Sequence, residues 1–168
     1  MAELTPKERL QPSLLDRLTD EEPEARTESA DKRVLSPHRL RESVRRDLTW
    51  LFNTTNLASV QELADYPQAE TSTVNFGIPD LTGRTATSVD AAALARVLRR
   101  AIIEFEPRLL RNTVKVRAVV DPERLGSNTL RFHIEAELWS QPLPLRLYLQ
   151  TDLDLEDGEA RVTEVAAV

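Results

Sequence analysis

The alternation of apolar and polar residues between positions 130 and 154 constrains this chain more than any other feature. Leu130, Phe132, Ile134, Ala136 and Leu138 alternate without error with Arg131, His133, Glu135 and Glu137. Leu143, Leu145, Leu147, Leu149 and Leu153 then alternate with Arg146, Tyr148, Gln150, Asp152 and Asp154. A period of two sends one set to a dry face and the other to water, the signature of an antiparallel sheet covered on one side. Val114, Val116, Ala118 and Val120 supply a strand before this pair, joined to it by a hairpin-type connection over 121–128. Asp157-Gly158 turns the chain into a last strand around Ala160–Val165. The pattern predicts an antiparallel β-meander of about four strands.

Before the sheet, the period is that of a helix. Ser36-Pro37 opens the first: serine can cap the free N–H groups of the first turn, and proline at the first helical position loses no bond. Leu40, Val44, Leu48, Leu51 and Phe52 define its buried face, with Arg41, Glu42, Arg45 and Arg46 largely away from it. The pattern stops at Asn53-Thr54-Thr55-Asn56, whose side chains compete with helical bonding. Val60, Leu63 and Tyr66 suggest a short helical piece ended by Pro67, and Gly77, Pro79 and Asp80 mark a turn-rich segment. A second long helix spans 88–105, capped by Ser88 or Asp90, with Leu94, Val97, Leu98, Ala101, Ile102 and Phe105 on one stripe. Pro107 stops it. Helices first and strands after give an α+β fold, with N-terminal helices packed on one face of the C-terminal sheet.

Residues 1–35 read as a flexible polar arm and 36–168 as a single α+β domain. The stretch 21–33 has almost no apolar content and cannot offset the entropy of ordering itself. Residues 13–20 are the exception, where Leu14, Leu15 and Leu18 at helical spacing suggest a short docking segment with an apolar anchor. No h-region of a signal peptide follows the first charges, and no apolar run is long enough to cross a membrane. Net charge is −6, so a phosphate-binding surface and nucleic acid are disfavoured. The 22 basic residues are nearly all Arg, which leans toward protein partners. With no cysteine, disulfides, thiolate metal sites and cysteine nucleophiles are excluded.

Sets of chemically capable residues are few. Glu104 and Glu106 form a conceivable glycosidase pair, but two carboxyls must face one bond about 5–10 Å apart, and residues two apart at a helix end diverge. Asp152, Asp154 and Glu156 before Asp157-Gly158 invite a calcium reading. Counted from Asp152, the sixth and twelfth places of an EF-hand loop hold Asp157 and Thr163, where Gly and Glu are required. His38 and His133 lack a nucleophile motif and read as surface residues. No catalytic set, metal or cofactor is expected.

Glu106-Pro107-Arg108 stands out. Proline pushes Glu106 out of helical geometry, so Glu106 and Arg108 can project to one side of an extended chain as a fixed two-charge plug for a partner. The alternative is that Arg108 pairs within the chain, with Glu104 or Asp47, and closes the helix end.

Taken together, these segments resemble the TssE family of type VI secretion baseplate proteins, relatives of the wedge and sheath-initiator proteins of contractile-tailed phages. The resemblance rests on Ser13-Leu-Leu-Asp-Arg-Leu-Thr-Asp20, Arg46-Asp-Leu-Thr-Trp-Leu-Phe-Asn-Thr54, Ser72-Thr-Val-Asn-Phe-Gly-Ile-Pro-Asp-Leu81, Phe105-Glu-Pro-Arg-Leu109 and Pro144-Leu-Arg-Leu through Gly158. It implies a structural, non-enzymatic subunit in a cytoplasmic baseplate docked at the inner membrane without inserting into it. The implied partners are TssF, TssG and TssK, and the contractile TssB–TssC sheath. On this view Glu106, Pro107 and Arg108 lock the domain to the wedge core. The edge strand carrying Ala160 and Val162 pairs with sheath strands by β-augmentation. The family's older label, "lysozyme-like", makes a peptidoglycan hydrolase the rival.

Overall fold

The computed structural model describes residues 13–19, 24, 36–86, 88–119, 128–140 and 143–166. The linker at 21–33, apart from residue 24, and the hairpin connection at 121–127 lie outside them. The elements are α1 (Leu14–Leu18), α2 (Pro37–Phe52), α3 (Pro67–Glu70), α4 (Ala91–Phe105), β1 (Lys115–Val119), β2 (Thr129–Leu138), β3 (Leu145–Asp154) and β4 (Ala160–Glu164). The strands form one antiparallel sheet in the order β1-β2-β3-β4. This is the α+β meander that the periodicity predicts.

Register follows the dry face. Phe132 pairs with Thr151, Ile134 with Leu149 and Ala136 with Leu147, and then Thr151 with Val162 and Leu153 with Ala160. All these side chains are buried. On the wet face, Arg131 forks across to Asp152 at 2.8 and 2.9 Å. Helix α2 lies over β3 and β4, and α4 over β1. Their stripes close the core: Leu40, Val44, Leu48, Leu51 and Phe52 from α2, and Leu94, Leu98, Ala101 and Ile102 from α4. Val97, expected on that stripe, is instead exposed. Ser36 caps α2 through Arg39 N–H, and Asp90, rather than Ser88, caps α4 through Ala92 and Ala93.

Between the two long helices, Pro67 begins a short helix instead of ending one, at the N1 position where a missing N–H costs nothing. Leu63 is buried while Val60 and Tyr66 are exposed. The turn segment is sewn to the end of α2 by Ile78 N–H to Thr54 and Asn56 N–H to Ile78. Gly77 makes that approach possible. Its φ is +128°, and a Cβ there would sit 2.2 Å from the Thr54 carbonyl oxygen.

Candidate functional site

The corner after α4 is fixed first by backbone. Glu106 leaves helical geometry at φ −119°, ψ 80° while its N–H still donates to Ile102, and Pro107 prevents a further turn. Residues 108–110 then run antiparallel to the end of β2: Trp139 N–H donates to Arg108 and Leu110 N–H to Glu137, both at 2.8 Å. The corner is therefore an extra rung of the sheet.

The expected outward plug is not what forms. Glu106 is 3% exposed, and its carboxylate faces Arg108 rather than a partner. Oε1 accepts from the Arg108 backbone N–H at 3.1 Å and from Nε at 2.7 Å, and Oε2 accepts from Nη2 at 2.5 Å. The guanidinium continues across to α2, donating from Nη2 to Asp47 at 2.5 Å and from Nη1 to Ser43 Oγ at 2.8 Å. Burial works against its charge, yet Glu106 and Asp47 together hold its pKa well above the ordinary arginine value. Of the two intrachain partners considered, Asp47 is the real one; Glu104 instead lies 4.0 Å from Arg111. The physical reason is α2: its flank offers Ser43 and Asp47 one turn apart, and a buried acid needs a cation with all its donors matched.

The network then extends to the arm. Arg46 donates to Asp47 from Nε at 2.9 Å and to Asp16 from Nη1 at 2.6 Å, and its guanidinium lies 4.9 Å from the centre of the Trp50 ring. Ser43 Oγ donates to the other oxygen of Asp16 at 3.0 Å. Asp16, Arg46, Asp47, Arg108 and Glu106 thus form one chain of alternating charge from the N-terminal segment to the corner. Arg46 lies on the flank of α2 that the sequence pattern puts away from the core, and that pattern singles out neither Asp16 nor Ser43. The available signal was Ser43 itself, a polar residue between Leu40 and Leu48 on an otherwise apolar stripe. The arm's anchor also differs from expectation: Leu14, Leu15 and Leu18 point outward, and Asp16 makes the attachment.

Ala160 and Val162 turn their side chains into the core. Their outer edge is partly taken. Asn53, just past α2, accepts from Ala160 N–H at 2.9 Å and donates to its carbonyl at 2.8 Å, standing in for a neighbouring strand. Arg45 Nη1 approaches the Val162 carbonyl at 3.5 Å. The other edge, β1, is less covered: Arg99 takes the Val114 carbonyl at 2.9 Å, but Ala118 is exposed. A groove of about 310 Å³ lies between β1 and α4, lined by Ala92, Ala95, Arg96, Arg99, Val116 and Ala118.

Most of the carboxylates weighed for bond-breaking or metal chemistry are engaged within the chain. Both oxygens of Glu106 are held by Arg108, so it does not face Glu104 across a common bond. Asp152 is engaged by Arg131, while Asp154 and Asp157 accept the N–H groups of Glu156 and Glu159 in the turn. Among the described residues no group of three or more His, Cys, Asp or Glu could hold a metal ion, and no helix is long and apolar enough to cross a membrane. Beside the corner, Trp139, whose N–H donates to Arg108, is 47% exposed, and Leu143 in the β2–β3 connection is 73% exposed.

The described residues thus make a small α+β block with a charge-locked corner, an apolar hairpin end and a partly covered strand edge beside a groove. The family model of the baseplate wedge protein gp25 matches residues 38–143, more than half of the chain, and the chain belongs to that family, which holds TssE and the phage baseplate wedge proteins. The family is one of structural baseplate proteins. No curated protein matches the chain.

Proposed function

We propose that this protein is the TssE-type baseplate subunit of a type VI secretion system, held in a wedge by TssF and TssG, with TssK in the same baseplate, and seeding the TssB–TssC sheath. The observation that carries the reading is the family match over 38–143, a span containing α2 apart from Pro37, α4 and the whole of the Glu106–Arg108 corner. In this reading Glu106, Pro107 and Arg108 serve the wedge by setting the shape of the corner. The surface offered to TssF–TssG is the apolar end, Trp139 with Leu143 beside it in the chain, since tryptophan is among the residues that carry most binding energy at interfaces.

Sheath seeding is strand addition, in which edge backbone groups supply the affinity. A strand joining at Ala160 and Val162 must first displace the Asn53 amide. Among the described residues no such competitor bonds Ala118, so β1 is the seeding edge we favour.

Co-expression of the full chain with TssF–TssG tests the first half. Trp139→Ala with Leu143→Ala should leave the thermal midpoint within a few degrees of wild type and abolish co-purification; an intact complex would remove the wedge assignment. For the second half, Ala118→Pro should stop sheath assembly in cells while wedges still form. Normal sheath number and length would move the seeding edge back to β4.

A further inference from the structure

Segment 13–18 is attached to the domain in an unusual way. A five-residue helix cannot sustain itself in water, and its leucines do not bury: Leu14, Leu15 and Leu18 are 71%, 45% and 73% exposed. Among the described residues, one carboxylate ties it to α2. Asp16 accepts from Ser13 Oγ at 2.6 Å within the segment, and from Ser43 Oγ at 3.0 Å and Arg46 Nη1 at 2.6 Å on α2.

The seat for that carboxylate is built by the domain without help from the arm. Ser43 is 6% exposed, and its oxygen already accepts from Arg108 Nη1, so its one proton is directed at Asp16. Arg46 is held in place from behind by Asp47 and by the face of Trp50. Two donors, one buried and one stacked, therefore converge on a single point at which a carboxylate fits. Asp16 also stands three residues after the capping Ser13, so its carboxylate projects from the first turn of a capped helix.

We propose that Ser43 and Arg46 form a binding site for an acidic helical segment of the type Ser-x-x-Asp, which this chain fills in cis with its own residues 13–18 as an exchangeable ligand. Residues 19–36 tether the ligand covalently, which makes its docking intramolecular, at an effective concentration on the order of millimolar for a link of this length. An unlinked copy of the same segment competes only when the tethered one is disabled. Because both donors are bonded to the corner network, occupancy is communicated to Arg108 and Asp47. The inference stands apart from the baseplate reading, since it concerns how the chain binds part of itself.

The test uses the full-length Asp16→Ala chain and a fluorescein-labelled peptide spanning residues 12–20, followed by anisotropy. The peptide should bind this chain saturably, and at least tenfold more weakly to the wild-type chain, whose own arm occupies the seat. Replacing Asp16 by Asn in the peptide, or introducing Arg46→Gln into the Asp16→Ala chain, should each weaken binding at least tenfold. Arg46→Lys, which keeps the charge, should lose less than Arg46→Gln and serves where the glutamine variant perturbs the fold. No saturable binding up to millimolar peptide, or binding indifferent to Asp16 and Arg46, overturns the proposal.

Discussion

Two short sequences in this protein share one pattern and one local geometry. Glu106-Pro107-Arg108 and Glu159-Ala160-Arg161 each place an arginine two residues after a glutamate, and in each the guanidinium forks onto the carboxylate. The surroundings differ. Glu106 is buried and Arg108 reaches on to Asp47 and Ser43, whereas the side chains of Arg161 and Glu159 are 74% and 49% exposed. The same fork is thus a structural core element in one place and a solvated ornament of an edge strand in the other. Position relative to α2, not the pattern, decides which.

The sharpest way to break the comparison is to remove each arginine. Arg108→Ala leaves Glu106 as an enclosed and uncompensated acid, while Asp47 keeps Arg46, and should cost about 3–5 kcal/mol in urea unfolding. Arg161→Ala should leave the unfolding midpoint where it was, because an exposed pair is screened by water. Exchanging partners extends the contrast. Glu159→Arg with Arg161→Glu should be silent, while Glu106→Arg with Arg108→Glu should not recover stability, since the new glutamate would face Asp47. Equal losses at the two sites would mean that α2 does not distinguish them.

What the sequence made legible follows the same line. A binary pattern of period two fixes strand faces from neighbours alone, so the meander and its dry face could be read directly. The faces of α2 and α4 were nearly as clear, except that Val97 lies at the exposed margin of the α4 stripe. The corner was not legible, because Glu106 and Arg108 are decided by Asp47 and Ser43, which lie 61 and 65 residues from Arg108. Both outcomes for Arg108 were chemically sensible until α2 was placed. Leu14, Leu15 and Leu18 misled for a related reason: a helical apolar triplet signals a face, but not that this chain supplies the cover.

The middle residues of the two patterns sharpen the contrast further. Pro107 has no N–H to satisfy, while Ala160 has both backbone groups on an outer edge, and Asn53 takes them both. Asn53→Ala should cost about 2 kcal/mol, the desolvation penalty of backbone groups losing their partner, and should speed amide exchange at Ala160. Unchanged exchange there would show that water replaces the amide freely and that β4 is as open to a new strand as β1.

The smallest effect expected concerns the far end of the charge chain. Burial raises the Asp16 pKa, but hydrogen bonds from Ser13, Arg46 and Ser43, with the Arg46 charge, outweigh it and bring the carboxyl down to about 2 from 3.8. A depressed carboxyl pKa means that docking is favoured most above the undocked value and is lost as pH falls through the docked one. Segment 13–18 should therefore stay seated at neutral pH and leave as pH drops from about 4 to about 2, seen as loss of protection of the Thr19 amide, which the Leu15 carbonyl accepts in the docked helix. Glu159 offers the control, because its pKa is also lowered by Arg161 but, among the described residues, its carboxylate bonds only Arg161. Acid should therefore change the exchange of the arm without a matching change at β4. If both regions respond together, the arm is not an independent unit and its release is only part of general acid unfolding.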